Sequence, residues 1–437
     1  MGRRSGLAAA LTLALAALTF AAEPVPRPAG QEPRAAVGKC TSADGTLLAS
    51  PRPGQGYHAV PNGEAVYSRD LLLALPGMRA GLTAHGVRLE LWGNLPEISA
   101  SPVLESAVLL HDSRTFDLDF TLGRGRVVVT NRKEKGPARV WVRLPGESWQ
   151  LSLAEPGSSV ALEAFGRWPR GVPFSRERRP GEGPTQVVEL TVLKGDVGLK
   201  LEDQQVGLSA PPGPASYRWD SVAGAEGPER RDRLPAWTGR VGEPSPAERA
   251  RAELAPAVAA KLKERGADVV LRDVLAESAR EKDKIKAAVE RSFAVFGLGA
   301  VDEVGRLAEA LADTQHADVR DTAVLALRHW IGAAPGRDQR LAQLLVERAG
   351  YRPAQAETVL HLLHSPFAAD LPETYETLIA YLQHGKLAVR ALAWWHLTRL
   401  AGLGDIRYDP AGSPAERTRA CAALKKLLAD GKLPPKK

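Results

Sequence analysis

Several histidines toward the C-terminal end of the chain are of a type that could ligate a metal. His361 and His364 stand three residues apart, so on a helix their imidazoles share a face, and His384 and His396 follow in later segments. No Glu completes an H-E-x-x-H pattern, and His396 falls on an apolar helical period, so these side chains read as structural. Asp117 and Asp119 are two apart on a strand, hence on one face, the arrangement that paired carboxylates use for acid–base chemistry. They alternate with Phe116, Leu118 and Phe120, which places them on the face expected to be wet. No G-x-S-x-G elbow, no Cys beside a His, and no G-x-G-x-x-G or G-K-[ST] loop occurs. Neither a catalytic residue nor a cofactor or metal is expected.

Arginine offers more. Arg167, Arg170, Arg176, Arg178 and Arg179 crowd into a long insertion, GRWPRGVPFSRERRPGEG, between two strands. A guanidinium grips phosphate or carboxylate through a rigid fork, and Trp168 and Phe174 could pack the loop down or stack on a sugar. Arg176, Arg178, Arg179 and Trp168 are therefore candidate binding residues for an anionic polymer. Trp394 and Trp395 are the other candidates: neighbours on a helix point about 100° apart, so one is expected to plug a core and the other to flank a groove as a partner anchor.

The elements that must position these residues follow from periodicity. Val87-Leu89-Leu91, Phe116-Leu118-Phe120-Leu122, Val140-Val142-Leu144, Val160-Leu162-Ala164 and Val188-Leu190-Val192 alternate with polar residues, the period of half-buried strands. Asn62-Gly63, Gly123-Arg124-Gly125, Pro145-Gly146 and Lys194-Gly195-Asp196 read as turns. An antiparallel all-β sandwich or roll is expected over residues 39–222. Seven Pro and five Gly fall between Ala210 and Pro246, and residues 223–245 read as a linker. Beyond it the period becomes helical. Ser245-Pro246-Ala247-Glu248 opens a helix. Val319, Ala323, Ala326, Leu327 and Trp330 mark one apolar face, and the same offsets return 70 residues later at Val389, Ala393, His396, Leu397 and Leu400. Half of that distance is a helical-hairpin length, so residues 246–437 are expected to be an α-helical repeat domain closing with a helix over Pro414–Ala429.

Of 437 residues, 44% are apolar and 25% charged, which excludes wholesale disorder. Net charge is +7, from 58 basic against 51 acidic residues, too mild for a nucleic-acid-binding footprint. Two cysteines, Cys40 and Cys421, exclude a disulfide-dense scaffold. At the N-terminus, Arg3 and Arg4 precede an uncharged run from Leu7 to Ala22, the grammar of a signal peptide over residues 1–22, followed by a Pro/Ala-rich spacer at 23–38. The expected address is outside the cytoplasmic membrane, in the periplasm or cell envelope, with membrane contact only if the segment stays uncleaved.

The strand region resembles the bacterial FecR-type domain. The likeness is carried by Ser68-Arg69-Asp70-Leu71-Leu72-Leu73 with Pro76-Gly77-Met78-Arg79-Ala80, by Gly86-Val87-Arg88-Leu89-Glu90-Leu91, by Leu122-Gly123-Arg124-Gly125-Arg126-Val127 and by Val192-Leu193-Lys194-Gly195-Asp196-Val197, over about residues 38–222. The helical region resembles HEAT or armadillo-like repeats through Asp318-Val319-Arg320-Asp321-Thr322-Ala323 and Leu387-Ala388-Val389-Arg390-Ala391-Leu392-Ala393. The first resemblance implies a fold whose best-known members are membrane-spanning signalling regulators; only six residues precede Leu7, so the fold rather than that role is carried over. The second implies partner binding through extended surfaces. The expectation is a non-enzymatic, exported envelope protein that binds or scaffolds an envelope protein or anionic polymer. The alternatives are a membrane-anchored FecR-type regulator and, with no motif behind it, an envelope hydrolase.

Overall fold

In a computed structural model, residues 34–52, 55–94, 103–169, 171–178, 182–202, 204–239, 243–403 and 406–435 are described. The signal peptide and most of the spacer lie outside them. The first strand begins inside the expected spacer, and the early strands are β1 (Ala36–Cys40), β2 (Leu48–Ser50), β3 (His58–Ala59), β4 (Ala65–Tyr67), β5 (Leu71–Ala74), β6 (Arg79–Ala84), β7 (Val87–Trp92) and β8 (Ser106–His111). There follow β9 (Leu118–Asn131), β10 (Ala138–Leu144), β11 (Glu147–Leu153), β12 (Ser159–Arg167), β13 (Thr185–Leu201), β14 (Gln204–Ala210), β15 (Ala215–Asp220) and β16 (Gly224–Arg230).

These strands form two layers. One runs β4-β1-β6-β7-β9-β12-β13-β15-β16, and the other β3-β2-β5-β8-β9-β10-β11-β13-β14. β9 and β13 belong to both. Gly123-Arg124-Gly125 and Lys194-Gly195-Asp196, which read as turns, are instead corners inside these long strands, with φ of 111° at Gly125 and 78° at Gly195. Glycine permits the positive φ that lets a strand leave one layer for the other. A side chain at Gly125 would also sit 2.3 Å from Ser106 Cα. Straight, the 14 residues of β9 would stretch roughly 45 Å. Yet Lys133 Nζ, beyond one end, lies 2.7 Å from Asp117 Oδ2 before the other. The chain leaving β9 is thus already beside its start, which is why β10 pairs with β9 in parallel, a departure from the antiparallel expectation. Inward residues such as Leu82, Leu89, Phe120, Val140, Leu162 and Leu190 close the core between the layers.

The stretch 223–245, expected to be a linker, is largely built into the strand region. β16 pairs antiparallel with β15, and a 3₁₀ turn at Ala236–Thr238 lays Trp237 edge-on to Trp92 at 5.5 Å between ring centroids. Helices follow: α1 (Pro246–Leu262), α2 (Ala267–Glu277), α3 (Lys284–Ala300), α4 (Val304–Leu311), α5 (Ala317–Gly332), α6 (Arg337–Glu347), α7 (Pro353–His364), α8 (Pro372–Tyr381), α9 (Leu387–Leu400) and α10 (Pro414–Ala429). Ser245 caps α1 and Ser413 caps α10, each in a reciprocal box with the Glu three residues on. α4 packs on α5, α6 on α7 and α8 on α9 as hairpins, with α5, α7 and α9 adjoining in turn. The matched repeat positions do matched work. Arg320 donates to the Asp313 carbonyl at 2.8 Å and Arg390 to the His384 carbonyl at 2.7 Å, each buried and each holding the loop before its own helix.

A second core joins strands to helices. Leu48, Leu73, Leu75, Leu104 and Ala107 leave the sandwich interior and pack with α1–α5 residues such as Leu271, Phe293 and Leu307. The β2-β5-β8 layer is therefore covered on both faces. The uninterrupted run Leu71-Leu72-Leu73-Ala74-Leu75 carries that signal, because a strand covered on both sides loses its polar alternation. Phe293 to Ala300 in α3 are buried all round, the mark of a helix surrounded by protein. Backbones also touch directly: a Cβ on Gly45 would meet the Ala259 carbonyl at 2.1 Å, and one on Gly332 the Gly166 carbonyl at 2.7 Å. Residues 35–437 form a single compact unit.

Candidate functional site

The insertion after β12 does not project. Trp168 donates its indole N–H to the Ile331 carbonyl at 3.1 Å, near the end of α5, and its ring packs on that of His364 at 4.5 Å. Arg178 lies over Trp168, 4.1 Å from the ring centroid, and forms an ion pair with Asp338, whose side chain is fully buried. The same Asp338 Oδ2 is 3.0 Å from His364 Nε2. Arg176 pairs with Glu357 on α7, and its carbonyl accepts from Gln339 Nε2 at 3.0 Å. Three of the candidate binding residues, Trp168, Arg176 and Arg178, thus come together, but against the helices. The anion that Arg178 grips is this chain's own carboxylate. Arg179 and Arg170 lie outside the described residues.

A second charged cluster sits in the same seam. Arg124, at the corner of β9, pairs with Glu105 and donates to the Ala300 carbonyl at the end of α3 at 3.3 Å. Glu105 also meets His329 Nε2 of α5 at 3.1 Å. Burial opposes charge on Glu105, yet His329 and Arg124 overcome it and hold the carboxyl well below its ordinary range. Burial likewise opposes charge on Arg124, and Glu105 and Asp302 more than compensate, raising its pKa.

Above this cluster opens a cleft of about 880 Å³, within the roughly 300–1,000 Å³ range of small-ligand sites. Tyr57 and Leu71 form its strand side, and α4, Trp330 and α6 its helical side. Asp302, in the tight turn between α3 and α4, accepts from Trp330 Nε1 at 2.8 Å and stands 3.4 Å from Arg337. Burial, reinforced by the charge of Arg124, pushes Arg337 down to about 10. Burial pushes the Tyr57 hydroxyl up to about 12. Sequence reading missed this site. Its groups come from four separate segments, and only the apolar run at Leu71 hinted that the strand layer had a covered outer face.

The remaining candidates are mostly packed inward. Trp395 is buried, with Arg399 3.9 Å from its ring centroid, while half-buried Trp394 packs on Tyr408 at 5.2 Å. His396 donates from Nε2 to the Leu362 carbonyl, 2.7 Å away. Asp119, expected on a wet face, is buried and held by both Arg143 Nε and Nη2 at 2.9 Å, because the fold of β9 brings β10 over it. Asp117 is taken by Lys133. Among the described residues no three metal-ligating side chains converge, and no helix is long and apolar enough to cross a membrane. Cys40 and Cys421 are free and buried.

No protein-family model, curated protein or solved structure matches the chain.

Proposed function

We propose that this is a non-enzymatic, exported protein of the cell envelope that binds or scaffolds a protein or polymer partner. Its strand region is of FecR-like kind and its helical hairpins of HEAT or armadillo-like kind. The observation carrying this reading is the cleft walled by both regions, in which one ligand would touch β5, α4 and α6 together. Support for the repeat reading comes from the equivalent buried arginines, Arg320 and Arg390, and for the strand reading from the quoted motif residues, which fall in β5, β7, β9 and β13 or beside them.

Filling the cleft tests the reading. A Cβ at Gly305 meets nothing within 4 Å, so Gly305→Trp has an open start from which its indole can fill the cleft, with melting temperature as the control for folding. Partners captured by the full mature chain from envelope extracts are expected to be lost with this variant; unchanged capture contradicts the reading. The intact mass of the purified protein separates the two envelope roles. A start near Ala22 fits an exported scaffold, whereas a retained Met1 favours the membrane-anchored regulator.

A further inference from the structure

One wall of the cleft is a cationic stripe. Arg337, Arg340, Leu344 and Arg348 follow each other at intervals of three and four residues along α6 and its last turn, so they share the face that lines the opening. The three guanidiniums span roughly 16 Å at 1.5 Å per residue. Two of them, Arg340 and Arg348, are not spent as Arg178 is. Among the described residues neither Arg340 nor Arg348 makes an ion pair or a side-chain hydrogen bond. Arg337 is buried deeper, stands 4.9 Å from the Trp330 ring centroid, donates to the Trp330 carbonyl at 3.5 Å and pairs with an Asp302 oxygen already accepting from Trp330, with Glu105 adding counter-charge.

Asp302 apart, the acids across the cleft do not answer this stripe. Glu309 is paired with Arg306 at 2.7 Å along α4, and Asp268 with Arg272 at 2.9 Å along α2. Glu303 lies in the field of Arg306 as well. Four acids and four arginines line the cleft in all, but these acids are directed to cations on their own walls or, for Asp302, to Arg337, so the guanidiniums of Arg340 and Arg348 face the cavity without an ion pair among the described residues. A guanidinium fork suits the paired oxygens of carboxylates and phosphates alike.

We propose that the cleft binds an elongated ligand carrying several oxyanions, phosphate or carboxylate, laid along Arg337, Arg340 and Arg348. The inference rests on the binding reading above and names its ligand chemistry. The anion-binding role expected of the insertion passes to α6, where the arginines are fixed on a helix and left open.

Titration calorimetry of the full mature chain with tripolyphosphate and, separately, with tri-glutamate tests the proposal. The wild type is expected to bind at least one of them, more weakly as salt rises. The double variant Arg340→Ser/Arg348→Ser is expected to lose at least tenfold in affinity, and Arg176→Ala to lose none. Preference between the probes identifies the source as phosphate or carboxylate. Binding of neither probe, or equal binding by the double variant, overturns the proposal. Melting temperature serves as the control that the double variant is folded. Loss of partner capture in Gly305→Trp with no anion binding here would leave the scaffold reading standing and remove only the ligand class.

Discussion

Two sets of arginines lie along the seam between strands and helices, and they end in opposite states. The insertion after β12 brings Arg178 down onto buried Asp338 beside His364, with Trp168 as a lid. On α6 the stripe of Arg337, Arg340 and Arg348 faces an open cleft. A loop rich in arginine has the freedom to find an internal carboxylate, and a buried carboxylate needs that partner. On α6, Arg337 turns toward Asp302, while Arg340 and Arg348, fixed further along the same helix face, meet no carboxylate among the described residues. The contrast separates charge that holds the molecule together from charge left for a ligand.

The largest effect is expected on the closed side. Asp338→Ala leaves Arg178 and His364 without their shared carboxylate, and breaking a buried pair this way costs about 3–5 kcal/mol. Urea denaturation would read it, and a loss below 1 kcal/mol would mean that Arg178 is not anchored there. The closed side also extends to His396 on α9. Burial pushes its pKa down to about 4; the Leu362 carbonyl opposes this, and the guanidiniums of Arg328 and Arg399 add to it. Its folded-state pKa lies below the unfolded value near 6.5, so the unfolded chain takes up the proton first. The stabilisation is fully present above about pH 6.5 and falls by about 3 kcal/mol toward pH 4. Replacing His396 with Gln is expected to flatten that part of the stability profile, as followed by denaturant midpoints at each pH.

Next in size is the backbone contact beside Trp168. Gly332→Val places a side chain against the Gly166 carbonyl and is expected to cost about 1–3 kcal/mol by overpacking. The smallest effect belongs to the open side. Arg340→Ser with Arg348→Ser removes two exposed, unpaired groups and is expected to change stability by no more than about 0.5 kcal/mol. A large loss there would erase the comparison, because the stripe would then be structural too.

Much of this was legible in the sequence, and the failures share a cause. The cap at Ser245, the last helix over Pro414–Ala429 and the repeat offset between Arg320 and Arg390 all follow from local rules of capping and period. Alternation found the inner faces of β7, β10 and β12. Gly125 and Gly195 misled because positive φ serves a corner inside a strand as well as a turn between strands. The linker reading failed because Pro and Gly mark irregular backbone, and β16 with Trp237 covers an edge and a face while remaining irregular. The partners of Arg178 and Arg124 were beyond reach, since Asp338 and Glu105 are brought to them by the docking of strands on helices.

The Arg178–Asp338 pairing and the cleft both depend on that docking, and cutting the chain tests it most directly. A protease site inserted between Gly239 and Glu243 would sever the strand region from the helices while leaving the shared core of Leu73, Leu75, Leu271 and Phe293 in place. After cleavage under native conditions, the two fragments are expected to elute together in size-exclusion chromatography and to separate only in denaturant. Two folded fragments eluting apart without denaturant would contradict the account.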